Sequence, residues 1–366
     1  MLRWGPRRRA GALVKPTAAR FVVFAPNWLG DAVMALPAIA DVRRAAPDAS
    51  LTIAARQGVA PLFSLVPGID DVLVLGKRGR ESFSWRAREK DSRPLFDAAI
   101  LLPNSFHAAL TAWRVSIQER WGYRTDFRRP LLTRAIDPPV GMHQVEYYQH
   151  LVKALGLIDP SPLFGPHGPP HIAISEALRA VGVKELTGAG WDGTRPLVAL
   201  APGAASGGAK RWPPASFAGL ARALAADGIQ SVMVGGRTDL PVARQIEEAL
   251  GVPGAAAAPR AMFEGDVVLN LMGTDLPTLA GILSACRALV SNDSGAMHLG
   301  AALGIRVTAV FGSTDERLTR PAGDGHIVLT NPVWCRPCMM RECPIDHRCM
   351  RGVGVDRVVG AVRQML

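Results

Sequence analysis

No apolar run in this 366-residue sequence approaches the roughly 20 residues that cross a bilayer as a helix. A membrane-spanning class is therefore not expected. The first twenty residues carry Arg3, Arg7, Arg8, Arg9, Lys15 and Arg20, but lack the apolar core of about 7–15 residues that marks a secretory signal. Residues 1–20 read as a basic tail. Cysteine is scarce outside one segment. Four of the five fall at Cys335, Cys338, Cys343 and Cys349, and Cys286 stands alone. Without an export signal these thiols are expected to be reduced, and Cys286 reads as a small core residue. Acidic residues are also short, at 31 against 42 Lys and Arg, a net charge of +11. That balance favours an anionic partner: nucleic acid, an acidic membrane surface or a phosphorylated substrate.

What is present fits a globular chain of two domains, with 48% apolar and 20% charged residues and enough length for two cores. Short apolar runs at 21–26, 51–55, 72–75 and 98–103 read as strands buried on both faces. Between them 31–46, 59–66 and 106–118 read as helices, the first bent by Pro37. The rhythm resumes with strands at 197–201, 231–235, 267–271, 288–291, 307–311 and 326–329. Helices are expected at 143–157, 214–227, 240–250, 276–285 and 295–303. Residues 159–171 hold five prolines and two glycines and form the best linker. The domain expectation is therefore 21–158, the linker 159–171, a second domain over 172–354 with its Cys-rich segment 335–349, and a terminal helix 355–366. That last helix could pack back on the first domain. Residues 77–93, with seven basic and three acidic side chains, read as a solvated loop or an acceptor-binding flap. Arg120, Arg124, Arg128, Arg129 and Arg134 surround Trp121 and Tyr123. Such a set fits nucleic acid, a phosphorylated sugar-lipid or plain surface charge.

Two strand-to-helix turns, about 260 residues apart, carry the candidate chemistry. In open parallel sheets ligands bind at such strand ends, where a helix N-terminus offers free N–H groups and partial positive charge to an anion. At the first turn Gly30 allows a tight approach and Asp31 is either a general base for an attacking hydroxyl or a helix cap. At the second, Asp293 or Ser294 could cap a helix beginning at Gly295, with His298 one turn on. A glycine-rich loop, 203–213, carries Ser206 and Lys210. Its backbone N–H groups and the lysine charge suit a pyrophosphate, although the P-loop spacing is absent. No His–Glu pair at helical spacing builds a catalytic metal site. The four clustered cysteines could hold a structural zinc ion or remain free thiols, with His347 a competing ligand.

Taken together, 26–34, 201–203 with 210–213, and 292–298 resemble the bacterial lipopolysaccharide heptosyltransferases, family nine of the glycosyltransferases. Asn27-Trp28 before Leu29-Gly30-Asp31 and the terminal cysteines look more like the heptosyltransferase II type than type I. The resemblance implies an α/β GT-B fold, two Rossmann-like domains with parallel sheets facing a central cleft. It implies inverting transfer of heptose from ADP-heptose to the inner core of lipopolysaccharide, onto a lipid A–Kdo–heptose acceptor. Asp31 would then be the base. Ser206, Lys210, Thr274, Asp293, Ser294, Gly295 and His298 would hold the donor, and Asn27, Gly30, Arg120 and Arg124 would lie on the acceptor side. A monomer on the cytoplasmic face of the inner membrane, touching its anionic lipid and needing neither nucleic acid nor a catalytic metal, completes the expectation. Ala205 stands where the family often has a hydroxyl, and the acidic ribose contact falls near Leu240 with Asp239 the nearest carboxylate.

Overall fold

The structure, a computed structural model, describes residues 20–76, 95–157, 168–205, 207–251 and 267–366. The basic tail up to residue 19, the charged segment 77–94, most of the linker, Ser206 and residues 252–266 lie outside the described residues.

Twelve strands build two six-stranded sheets. The first runs β3 (Asp71–Leu75), β2 (Ser50–Arg56), β1 (Arg20–Phe24), β4 (Ala98–Leu101), β5 (Glu119–Tyr123) and β6 (Arg134–Ile136). The second runs β12 (Ile327–Thr330), β11 (Arg306–Phe311), β10 (Ala288–Asn292), β7 (Leu197–Ala201), β8 (Gln230–Met233) and β9 (Val268–Asn270). Every pairing is parallel. Counted from its own first strand, the second sheet repeats the order of the first, the doubly wound order whose direction reverses beside the first strand. The reversals fall between β1 and β4 and between β7 and β10. The α/β class and the two facing Rossmann-like units are thus as expected. The central strands β7 and β10 are buried throughout, because helices cover both sheet faces.

The first helical stretch is broken as Pro37 requires. Helix α1 (Leu29–Met34) ends at Ala35, and α2 (Leu36–Ala45) restarts with the proline in its first turn. There its missing N–H costs nothing. Strands β5 and β6 were not legible in the sequence, because arginines interrupt their apolar character. Trp121 and Tyr123 are core side chains. Trp121 packs on Phe21 at 5.9 Å and under the Arg134 guanidinium at 5.0 Å, so neither aromatic offers a base-stacking platform.

The terminal helix, α13 (Val355–Arg363), does not return to the first domain. Val358, Val359 and Val362 bury against Phe217, Leu220 and Leu224 of the helix Pro214–Ala226. Arg363 reaches Asp227 at 2.8 Å, and Arg306 donates to the Met365 carbonyl. The apolar face of this helix finds its partner locally. A continuous apolar cluster joins the domains, running from Phe21 and Ala32 to Leu197 and Met297. A second tie is His143, which caps the helix Gln144–Ala154 by accepting from the Val145 N–H at 3.3 Å. Its other ring nitrogen therefore carries the proton and donates to the Arg320 carbonyl at 3.0 Å.

Candidate active site

Asp31 occupies the third position of α1, inside the helix. Trp28 is the N-cap and gives no side-chain cap bond, so the capping role open to Asp31 is not the one it takes. Its carboxyl lies 3.5 Å from the hydroxyl of Tyr148 on the helix Gln144–Ala154. Burial pushes the Asp31 pKa up; the negative charge of Asp293 adds to this, while Lys210 and the Tyr148 hydroxyl oppose it. Two residues of the second domain thus bear electrostatically on Asp31. The backbones also meet. A Cβ on Gly30 would stand 2.7 Å from His298 Cδ2, and one on Gly295 would stand 2.8 Å from Leu29 Cβ. Glycine at both positions lets α1 and α10 (Gly295–Ala302) approach closely.

On the second domain, Asn292 ends β10 fully buried. It accepts from the Trp212 N–H at 3.0 Å and donates to the Pro202 carbonyl at 2.7 Å. Both ends of the loop after β7 are thereby fixed to the end of β10. Lys210 Nζ donates to Asp293 Oδ2 at 2.7 Å, and Thr314 Oγ1 donates to the same oxygen at 2.8 Å. Asp293 is 7% exposed and the lysine side chain 19%, so the pair is largely screened from water. Ser294 is the N-cap of α10 but makes no cap bond; its hydroxyl turns to Ser291 at 3.0 Å. Among the described residues no side chain caps the first-turn N–H groups, which carry the positive end of the helix dipole. His298 is buried, and desolvation lowers its pKa to about 4. It is a neutral hydrogen-bonding group at physiological pH.

The glycine-rich loop departs from expectation. The Ala209 N–H donates to the Arg341 carbonyl at 3.0 Å, and the Gly208 N–H to the Glu342 carboxylate at 2.9 Å. These two donors are engaged by the Cys-rich segment and do not offer a free phosphate cradle. Glycine at 207 is required: its φ is 126°, and a Cβ would stand 2.2 Å from the Arg341 carbonyl. The four clustered cysteines line a cavity of about 20 Å³ with Ala209 and Ser313. Yet among the described residues no group of three His, Cys, Asp or Glu side chains is placed to hold a metal ion. The structural-zinc expectation gains no support. Cys286 is a core thiol, pushed up to about 12 by burial.

Thr274 lies in the loop after β9, held to the end of β8 through the Gly273 N–H and the Gly235 carbonyl at 2.9 Å. Asp239 is nearer the centre than its sequence position suggests: a Cβ on Gly203 would stand 2.3 Å from its carboxyl carbon. On the first domain, a cavity of about 370 Å³ opens at the strand ends, lined by Asn27, Arg56, Ser105, His107 and Thr111. Arg124 follows β5 at that end and pairs with Asp137. Arg120 does not belong with it. It begins β5 at the opposite end, and its guanidinium donates to the carbonyls of Leu131, Ile117 and Gln118. An arginine at the wrong end of a parallel strand cannot reach the cleft. Tyr148 and Thr314 escaped the sequence reading. Thr314 follows the end of β11, so the strand-end rule could have found it; Tyr148 carried no signal.

Residues 86–348 match a family described as glycosyltransferase family 9 (heptosyltransferase). The chain is 30% identical over 319 residues to lipopolysaccharide heptosyltransferase 2 of Salmonella typhimurium, covering 82% of this chain and 85% of that protein. It is 28% identical over 361 residues to lipooligosaccharide heptosyltransferase 2 of Haemophilus ducreyi, covering 95% and 99%. The solved structure of E. coli ADP-heptose LPS heptosyltransferase II superposes with a TM-score of 0.77 at 27% identity, covering 94% of this chain and 98% of that one. With a family match over most of its length and two sheets meeting at the Asp31–His298 cleft, the chain belongs to glycosyltransferase family 9, the heptosyltransferases.

Proposed function

We propose that this enzyme transfers heptose from ADP-heptose, with inversion, to a lipid A–Kdo–heptose acceptor, adding the second heptose of the lipopolysaccharide inner core. The observation that carries the reading is that Asp31 feels the charges of Lys210 and Asp293 across the domain boundary while its neighbour Gly30 lies against His298. Direct displacement at an anomeric carbon needs a base on one face and a sink for the leaving diphosphate on the other. Asp31 takes the proton of the acceptor hydroxyl as its oxygen bonds to the anomeric carbon. The bond from that carbon to the ADP oxygen breaks on the opposite face. Lys210 and the uncapped N-terminus of α10 meet the departing negative charge. Asp293 and Thr314 aim the lysine, and neutral His298 donates to a phosphate or sugar oxygen. This supplies countercharge from side chains and backbone, without assigning a step to a metal.

Thr274 and Asp239 flank the nucleotide in this reading, with Asp239 on the ribose, and Ser206 completes the donor loop. Asn27, Gly30 and Arg124 stand on the acceptor side. The enzyme works as a monomer at the cytoplasmic face of the inner membrane. Among the described residues no helix is long and apolar enough to cross a membrane. The test is a panel of ADP-, UDP- and GDP-sugars against core acceptors of defined length, with linkage analysis of the product. Transfer of heptose from ADP-heptose alone onto a heptose-bearing acceptor is expected; preference for another nucleotide or a Kdo-only acceptor overturns the assignment.

A further inference from the structure

The helix Phe106–Arg114 follows β4, and its first turn helps line the 370 Å³ cavity. Its helical period places Phe106, Leu110 and Trp113 on one stripe, while Ala108, Ala109 and Ala112 are buried. Phe106 is 42% and Trp113 53% exposed. Single exposed apolar residues are ordinary, but these are aligned, and a third aromatic ring joins Phe106 and Trp113. The Phe106 N–H donates to the Asp126 carboxylate, which brings Phe127, 94% exposed, beside the start of the helix.

The turn carrying Phe127 is built rather than slack. Asp126 and Phe127 adopt φ of 50° and 54°, a left-handed conformation that side chains disfavour. Asp126 is tied to Phe106 on one side. On the other, Arg128 is fully buried and donates to the carbonyls of Tyr123 and Pro103. The backbone between these two anchors holds the phenyl ring outward. Arg129, His107 and Arg114 border the rings and are exposed. Neither Arg114 nor Arg129 meets a carboxylate among the described residues.

We propose that the Phe106–Leu110–Trp113 stripe and the Phe127 turn rest on a bilayer surface bearing anionic headgroups. Aromatic rings flanked by arginines suit the boundary between headgroup and acyl chain, where the ring is desolvated and the cation stays wet. Exposed arginines that meet no carboxylate among the described residues complement the negative surface potential of anionic lipid. The same helix lends His107 and Thr111 to the cavity on the acceptor side. An acceptor anchored in that bilayer would therefore enter the cleft from the face in contact with it. This inference rests on the reading that the acceptor is a glycolipid.

The test compares the full-length enzyme with a Trp113→Ser/Phe127→Ser double variant. Both are sedimented with vesicles of phosphatidylcholine alone and of phosphatidylcholine mixed with phosphatidylglycerol. The wild type should partition onto the mixed vesicles, and the variant should lose about tenfold or more of that partition. Transfer to a deacylated, water-soluble acceptor should be retained, and transfer to a vesicle-embedded acceptor should fall with partition. Equal partition of variant and wild type overturns the proposal. So does wild type that ignores anionic vesicles but binds RNA, or equal loss on soluble and embedded acceptors. A wild type that partitions but transfers no heptose would defeat the assigned reaction and leave the docking face standing.

Discussion

Gly30 and His298 touch across the domain boundary so closely that a Cβ on the glycine would lie 2.7 Å from the imidazole Cδ2. Helices α1 and α10 are thus held together at a position with no room for a methyl group. Gly30→Ala should cost about 1–3 kcal/mol through forced displacement of the ring. It should lower kcat by about tenfold or more through misplacement of Asp31. A thermal melt and steady-state kinetics check both; unchanged values would mean that the ring yields freely.

Asp31→Asn preserves shape and removes the proton acceptor. Transfer should fall by about 10²–10⁴-fold, while the affinity for ADP, read by calorimetry, should stay within about twofold if, as proposed, the nucleotide is held by the other domain. Near-wild-type transfer would remove Asp31 from the role assigned here.

The pH profile follows from the same carboxyl. Burial and Asp293 raise its pKa, and a general base works only when deprotonated. The acid limb of kcat/KM should therefore lie above the usual carboxylate range, with activity present at higher pH and lost as pH falls through it. Lys210→Met removes a charge that lowers this pKa and should move the limb upward. Tyr148→Phe should move it the same way, by less. A limb that stays put in both variants would assign the titration to another group.

Lys210→Met should also weaken ADP-heptose binding by about ten- to a hundredfold. It leaves Asp293 buried with, among the described residues, Thr314 as its remaining side-chain partner, so stability should fall as well. Lys210→Met/Asp293→Asn should recover stability but not affinity. Recovery of both would make the ion pair structural.

His298 predicts an acid-sensitive fold. Its pKa is about 4 in the folded chain against 6.5 ordinarily, so the unfolded state binds the proton first. The stability this burial provides is fully present above about pH 6.5 and is lost progressively as pH falls towards 4. The whole effect is about 3 kcal/mol. Denaturant melts of the wild type and His298→Gln across that range should converge at low pH. Parallel curves would exclude the histidine.

The motifs come together at one interdomain place because they are strand-end signals. Asp31, Lys210, Asp293 and His298 each follow a short apolar run, and a parallel sheet delivers such residues to one edge whatever the loops do. Arg120 failed for the complementary reason: its strand was unread, so the end it occupied could not be known. Asn292 is fully buried at the end of β10, yet its side chain ties both ends of a loop whose residues lie 80 and 90 positions away. Local pattern carries no information about such partners. The engaged N–H groups of Gly208 and Ala209 were hidden likewise, because their acceptors lie more than 130 residues on.

That last connection has a practical consequence. The strap at Arg341–Glu342 lies between Cys338 and Cys343 and grips the peptide that carries Lys210. Alkylation or oxidation of those sulfurs should loosen the peptide that carries Lys210 and, on the proposed reading, weaken nucleotide affinity. Preparations handled without reductant would then look like poor enzymes when only their scaffolding has been altered.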